Sequence, residues 1–109
     1  MPGKFEVKVA KDGQHYFNLK SSNGEVILTS EMYKAKASAL NGIESVKKNS
    51  QIDKRFVTKL SNSKKPFFVL RAGNHEVIGK SEMYSSASAM ENGIESVKKN
   101  GPDAATVEA

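Results

Sequence analysis

The sequence predicts an α+β domain: two tandem β(3)-α-β units that share a single antiparallel sheet, with two helices packed on it. Three observations carry this. The 109-residue chain is written twice, its halves aligning without a gap at an offset of 51 residues. Ser30-Glu31-Met32-Tyr33 recurs as Ser81-Glu82-Met83-Tyr84, and the run Asn41 to Asn49, NGIESVKKN, recurs unchanged from Asn92 to Asn100. An internal repeat decides architecture before any local argument. Within each copy, runs of period-2 alternation come first and a helical stripe follows.

The elements follow in order. Phe5, Val7 and Val9 alternate with Glu6 and Lys8, the mark of a half-buried strand. Lys11-Asp12-Gly13-Gln14 supplies a turn, and Tyr16-Phe17-Asn18-Leu19 begins a second strand. Ser22-Asn23-Gly24 is the strongest hairpin signal, an Asn-Gly pair suited to a type I′ turn. Val26-Ile27-Leu28-Thr29 is the third strand, rich in β-branched residues. In the second copy Phe56–Leu60, Phe67–Leu70 and Val77-Ile78 take these places, and Gly73-Asn74-His75 replaces the Asn-Gly turn. Phe17, Leu19, Phe68 and Leu70 are assigned to the core face. Gly79 stands where Leu28 stood and is expected to mark a bulge or a strand end.

The helices are placed within Tyr33–Lys48 and Tyr84–Lys99. Ala35, Ala39, Ile43 and Val46 form one apolar stripe, matched by Ser86, Met90, Ile94 and Val97. Ser30 or a neighbour is expected to cap the first helix and Ser81 the second. Gly42 and Gly93 sit mid-helix, where glycine costs about 1 kcal/mol relative to alanine. The expected reason is close approach of the helix to the sheet, with no room for a Cβ. Short edge strands are expected around Ile52-Asp53 and Thr106-Val107, with the tail AATVEA otherwise a disordered end.

Two units of about 50 residues are each marginal alone, so they are expected to share a core. The chain is thus one domain, 1–109, with repeats 4–53 and 55–104. The join from Ser50 to Lys54 is too short for a flexible linker.

Composition bounds the chemistry. There is no cysteine, hence no disulfide framework or thiolate site. No apolar run is long enough to span a membrane, and the N-terminus carries no signal-peptide core. The expected location is the cytoplasm. Net charge is +5, but basic residues interleave with acids: eight and five in residues 1–52, nine and seven in 53–109. Interleaving of this kind reads as a solvated surface before a phosphate-binding one.

Candidate sites are few. His15 and His75 are not equivalent in the repeat and have no companion ligands at metal spacing, so both read as exposed turn residues. Glu31 and Glu82, before the repeated tyrosines, suit a helix N-terminus. Glu44 with Lys47 and Lys48, and Glu95 with Lys98 and Lys99, read as ion pairs on a helix face. No phosphate loop, nucleophile elbow or carboxylate pair is visible. The sharpest functional reading concerns the sheet. If the helices cover one face only, Tyr16 and Phe67 form a symmetric open platform on the other, with Lys20 and Arg71 beside them. Exposed rings on such a face can stack bases.

Two copies of a hairpin pattern, then SEMY, then a helix ending GIESVKKN, resemble the YegP-like family of small uncharacterised bacterial proteins. So does the motif N-x-E-V-I, present as Asn23–Ile27 and Asn74–Ile78. The resemblance covers roughly residues 4–101. It implies three strands, a helix and a further strand per unit, with the units merged in one sheet and their C-terminal strands exchanged. Some members of the family carry one unit and pair as dimers. A tandem chain then resembles a covalent pseudo-dimer, expected to be a monomer. The family has no assigned activity, so no catalytic, cofactor or metal residues carry over. The expected function is a non-enzymatic binding or accessory module without a cofactor, its partner not named by the sequence. The alternative is a nucleic-acid binder using Tyr16, Lys20, Phe67 and Arg71.

Overall fold

The computed structural model describes residues 3–108. Strands β1 (Lys4–Val9), β2 (His15–Lys20) and β3 (Val26–Ser30) precede helix α1 (Lys36–Asn49). Strands β4 (Phe56–Leu60), β5 (Pro66–Arg71) and β6 (Val77–Lys80) precede α2 (Ala87–Asn100), and β7 (Ala105–Glu108) follows. All seven strands form one sheet in the order β4-β5-β6-β3-β2-β1-β7.

The two units meet at β3 and β6, where Thr29 lies opposite Lys80. These two positions are equivalent in the repeat, so the pseudo-two-fold axis passes between them. Gly79 is explained here. A Cβ on it would come within 2.7 Å of the Leu28 side chain. Leu28 and Gly79 are also equivalent, and the space beside the axis holds one leucine, not two. Gly79 is therefore a packing residue, and it also adjoins the expected bulge: Leu70 pairs with Gly79 but Arg71 with Val77, which leaves Ile78 as the extra residue. The first unit has the same shift, where Leu19 pairs with Leu28 and Lys20 with Val26.

The expected all-antiparallel sheet is mixed, because β7 runs parallel to β1. Hairpins force the antiparallel sense on neighbours. No hairpin joins β7 to β1; the chain reaches that edge only after α2. The C-terminal strand of the second unit thus covers the first unit, within one chain. Residues 105–108 are a strand and not a loose end. The edge strand expected at Ile52-Asp53 is not formed: Asp53–Arg55 make a single 3-10 turn that runs straight into β4.

The core lies between the helices and one face of the sheet. Phe5, Phe17, Leu19, Leu28, Phe68 and Leu70 meet Ile43, Val46, Ile94 and Val97, all buried. Each helix touches strands of both units, so neither half keeps a private core. Phe17 stacks on Tyr33 at 6.5 Å and Phe68 on Tyr84 at 6.3 Å, both rings nearly parallel.

The helices begin later than expected because the SEMY segments finish the sheet. Ser30 Oγ accepts a hydrogen bond from Phe17 N–H at 2.9 Å and donates to Glu31 C=O; Ser81 does the same with Phe68 and Glu82. Neither serine caps a helix. The caps are Ala35, which offers no side-chain acceptor, and Ser86, whose Oγ accepts from Ala89 N–H at 3.1 Å. Gly42 and Gly93 do mark close approach to the sheet, where Phe17 and Phe68 would lie 3.0 and 3.3 Å from an added Cβ, and the repeated tyrosines come closer still. A Cβ on Gly42 would lie 2.6 Å from Tyr33 Oη, and one on Gly93 2.3 Å from Tyr84 Oη.

The hairpin after β2 also differs from the expected type I′ turn. Gly24 has φ +88 while Asn23 stays at negative φ, and Gly24 N–H donates to Ser21 C=O. That is a turn closed by one left-handed residue. In the second unit His75 holds that conformation at φ 71. The shared N-x-E motif has a local cause: the Asn23 and Asn74 side chains each accept from the glutamate N–H two residues on, at 3.1 Å.

Candidate functional site: the helix-free face of the sheet

Strand alternation decides which side chains face away from the helices. Since Phe5, Phe17, Phe68 and their alternates face the core, Lys4, Glu6 and Lys8 on β1 face outward, as do Tyr16, Asn18 and Lys20 on β2. Phe67, Val69 and Arg71 on β5 do likewise, with Val57 and Lys59 on β4. The pairings align a central row across the sheet: Val57, Val69, Lys80, Thr29, Asn18 and Glu6. Neither helix crosses this row.

Tyr16, Lys20, Phe67 and Arg71 therefore share one face. They do not form one patch. Tyr16 lies two residues from the central row toward one end of the sheet, and Phe67 two residues toward the other. Three ladder steps and four residues separate the rings, about 20 Å. Phe67 has Lys59 opposite it on β4, and Lys80 Nζ lies 5.1 Å from its ring centroid. Tyr16 has Lys8 opposite it on β1. Arg71 lies toward the Tyr16 end and Lys20 toward the Phe67 end. The face thus has two aromatic–cationic corners related by the axis.

The sequence reading missed Lys4, Lys8, Lys59 and Lys80 as members of this face. Alternation along β1 and β4 places Lys8 and Lys59. Lys80 is placed by the β5–β6 hairpin, opposite Val69, past a register shift that strict alternation does not show. On the strands of this face six cations point outward against one carboxylate, Glu6. Lys20 Nζ is 3.0 Å from Glu6 Oε1, with Lys4 and Lys8 at 3.8 and 3.9 Å. The hydrogen bond from Lys20, helped by the charges of Lys20, Lys8 and Lys4, holds the Glu6 carboxyl below its ordinary range against opposing desolvation. In the second unit Val57 replaces Glu6. Among the described residues Lys59, Arg71 and Lys80 have no ion-pair partner. Arg71 Nε is shielded from solvent with no hydrogen-bond acceptor among them.

The other expected residues sit elsewhere. His15 is half-buried in β2, bridged by backbone hydrogen bonds to Tyr33, and so is not the exposed turn residue expected. His75 is exposed in its turn. Among the described residues no three histidines, cysteines or carboxylates cluster as metal ligands would. Glu44 pairs with Lys47 at 3.6 Å and Glu95 with Lys98 at 3.3 Å. Lys47 and Lys98 also reach over Phe5 and Phe56. Burial pushes the Tyr33 and Tyr84 phenols above their ordinary pKa, with the Glu31 and Glu82 charges adding to it.

The repeated NGIESVKKN run lines two equivalent clefts. Asn92, Glu95, Lys99 and Asn100 face the Ser21–Asn23 turn across about 630 Å³. Asn41, Glu44, Lys48 and Asn49 face Ala72–Asn74 across about 440 Å³. Each cleft takes its helix from one unit and its turn from the other. Both are open to solvent. The helix-free face is flat, cationic and partly aromatic, suited to holding an extended anion.

Comparison with known proteins bears on identity. The family model described as a domain of unknown function (DUF1508) matches twice, over residues 10–56 and 61–108. The UPF0339 protein YegP of Yersinia pestis is 58% identical over 99 residues, covering 91% of this chain and 88% of that protein. A UPF0339 protein of Acinetobacter baylyi is 56% identical over 104 residues, covering 95% of this chain and 94% of that one. Two solution NMR structures share the fold. The first is the E. coli protein of unknown function yegP, with TM-score 0.94 and 45% identity over 99% of this chain and 93% of that chain. The second is a UPF0339 protein of Shewanella oneidensis, with TM-score 0.93 and 47% identity over 99% and 92%. The chain belongs to the DUF1508 family, as a two-repeat, YegP-like member of it.

Proposed function

We propose that this protein is a non-enzymatic binding module whose working surface is the helix-free face of the sheet, and that its ligand is an extended polyanion, single-stranded nucleic acid in the first place. One observation carries the reading: six outward cations against a single carboxylate, with Lys59, Arg71 and Lys80 free of acidic partners among the described residues and with Lys59 and Lys80 beside Phe67. A flat cationic strip with rings at its corners suits a flexible phosphate backbone better than a compact metabolite, which needs a concave pocket. The two corners, about 20 Å apart, suit a strand that spans both. The chain acts as one domain over 1–109, with repeats 4–53 and 55–104, monomeric and in the cytoplasm. The absence of cysteine and the core shared by both units support this.

Fluorescence anisotropy with a labelled single-stranded RNA oligomer tests the reading. Lys59→Ala with Lys80→Ala is expected to lower affinity about tenfold at low salt. It should also flatten the log–log salt slope by about 1.4, since each phosphate contact on a single strand contributes about 0.7. Unchanged affinity and slope in the double variant would refute the assignment.

A further inference from the structure

We infer that the outer edge of β4 is a strand-accepting site for an extended segment of a partner protein, with apolar and acidic residues in alternation. The equivalent edge, that of β1, is already occupied. β7 lies along it in parallel, with Thr106 beside Phe5 and Glu108 beside Val7. Across the axis β4 ends the sheet, with no strand among the described residues on its outer side. The tandem arrangement explains the difference. After α2 the chain is free to form β7. After α1 the equivalent residues, 54–57, are spent on the 3-10 turn and the start of β4 itself. No described segment remains to cover the second edge.

The uncovered edge is visible in burial. Under β7, Phe5 is 0% and Val7 4% exposed, whereas the equivalent Phe56 is half-buried and Thr58 is exposed. The backbone is also available. Ser81 N–H donates to Phe68 C=O, and Phe68 N–H to Ser81 Oγ, so Phe68 turns its polar groups toward β6. Its cross-strand partner Thr58 must then turn its own N–H and C=O to the outside. Two residues on, the Leu60 N–H points the same way. Edge groups of this kind are what strand addition uses.

The surroundings define the occupant. Thr58, Lys59, Leu60, Pro66, Ala87 and Met90 line a groove of about 400 Å³. At the β1 edge Lys36 pairs with Glu108 in this region, but Ala87 replaces Lys36 here, so side chains entering the groove are apolar. The alternate positions fall beside Lys59 on the helix-free side, where acids are favoured, while Arg55 is held by Asn49 Oδ1 of α1 at 3.1 Å. Parallel addition follows the β7 precedent. A second copy of this chain would bring the same cations, and a net charge of +5, against themselves.

The experiment is an amide-resolved NMR titration of the full chain with the blocked peptide Glu-Val-Glu-Val-Glu-Val-Glu. The amides of Thr58 and Leu60 are expected to shift, together with the Met90 methyl. Methylation of alternate peptide nitrogens, which removes strand pairing while keeping charge, is expected to abolish those shifts. Thr58→Pro deletes an outward N–H that the β4–β5 ladder does not use, and should weaken binding about tenfold. Three results would overturn the inference: no shift at millimolar peptide, shifts confined to β1 and β7, or shifts at Lys20, Phe67 and Lys80 that survive N-methylation. The last would mark simple attraction to the cationic face.

Discussion

His75 and Lys64 hold left-handed backbone, at φ 71 and 64, where the first unit has Gly24 and Gly13. An L-residue in that region costs roughly 1–2 kcal/mol, offset in part by the greater freedom glycine loses on folding. His75→Gly is therefore expected to stabilise the fold by about 1 kcal/mol, raising Tm by about 4–8 °C for a chain of this size, measured by calorimetry. No gain would mean that the His75 side chain makes contacts offsetting its strain. The duplication made this legible in part: alignment puts His75 against Gly24 and so marks a turn. The turn type was not legible, because Asn-Gly suits several turns and only the backbone shows that Asn23 stays at negative φ. The packing role of Gly79 was not legible for a related reason. Its partner Leu28 is unremarkable along the chain and matters only where the axis folds the two positions together.

At the scale of elements, each copy repeats the other with small local differences that act as internal controls. Helix α2 has Ser86 as its cap and α1 has Ala35 in the same place, without a side-chain acceptor. Ala35→Ser should stabilise α1 by about 1 kcal/mol. In Gly42→Ala the helix gains about 1 kcal/mol in propensity, but crowding by Tyr33 Oη costs about 1–3 kcal/mol. The net expectation is a loss, which Tyr33→Phe partly restores. Urea unfolding of the single and double variants checks both. A Gly42→Ala variant as stable as the parent would show that the tyrosine yields without cost. The helix interiors were legible from their apolar stripe. Their starts were not, since a serine before an acidic residue reads as a cap, while Ser30 and Ser81 instead tie β2 to β3 and β5 to β6.

For the whole molecule, the repeat made legible that two units share one sheet, and that Tyr16, Lys20, Phe67 and Arg71 share a face. Alternation along a strand is local and survives translation into three dimensions. The parallel pairing of β7 with β1 and the meeting of β3 with β6 join distant segments. These set the chemistry of the face. They separate the two rings by about 20 Å, and they leave the cations of the second unit unopposed while Glu6 gathers those of the first. An NMR titration of the labelled chain with single-stranded RNA, at low and physiological salt, tests the functional claim most directly. The account predicts salt-sensitive shifts at Phe67, Lys59, Lys80 and Arg71, extending to Tyr16 with longer strands and sparing both helices. Shifts confined to the helix-lined clefts, or none at low salt, would contradict it.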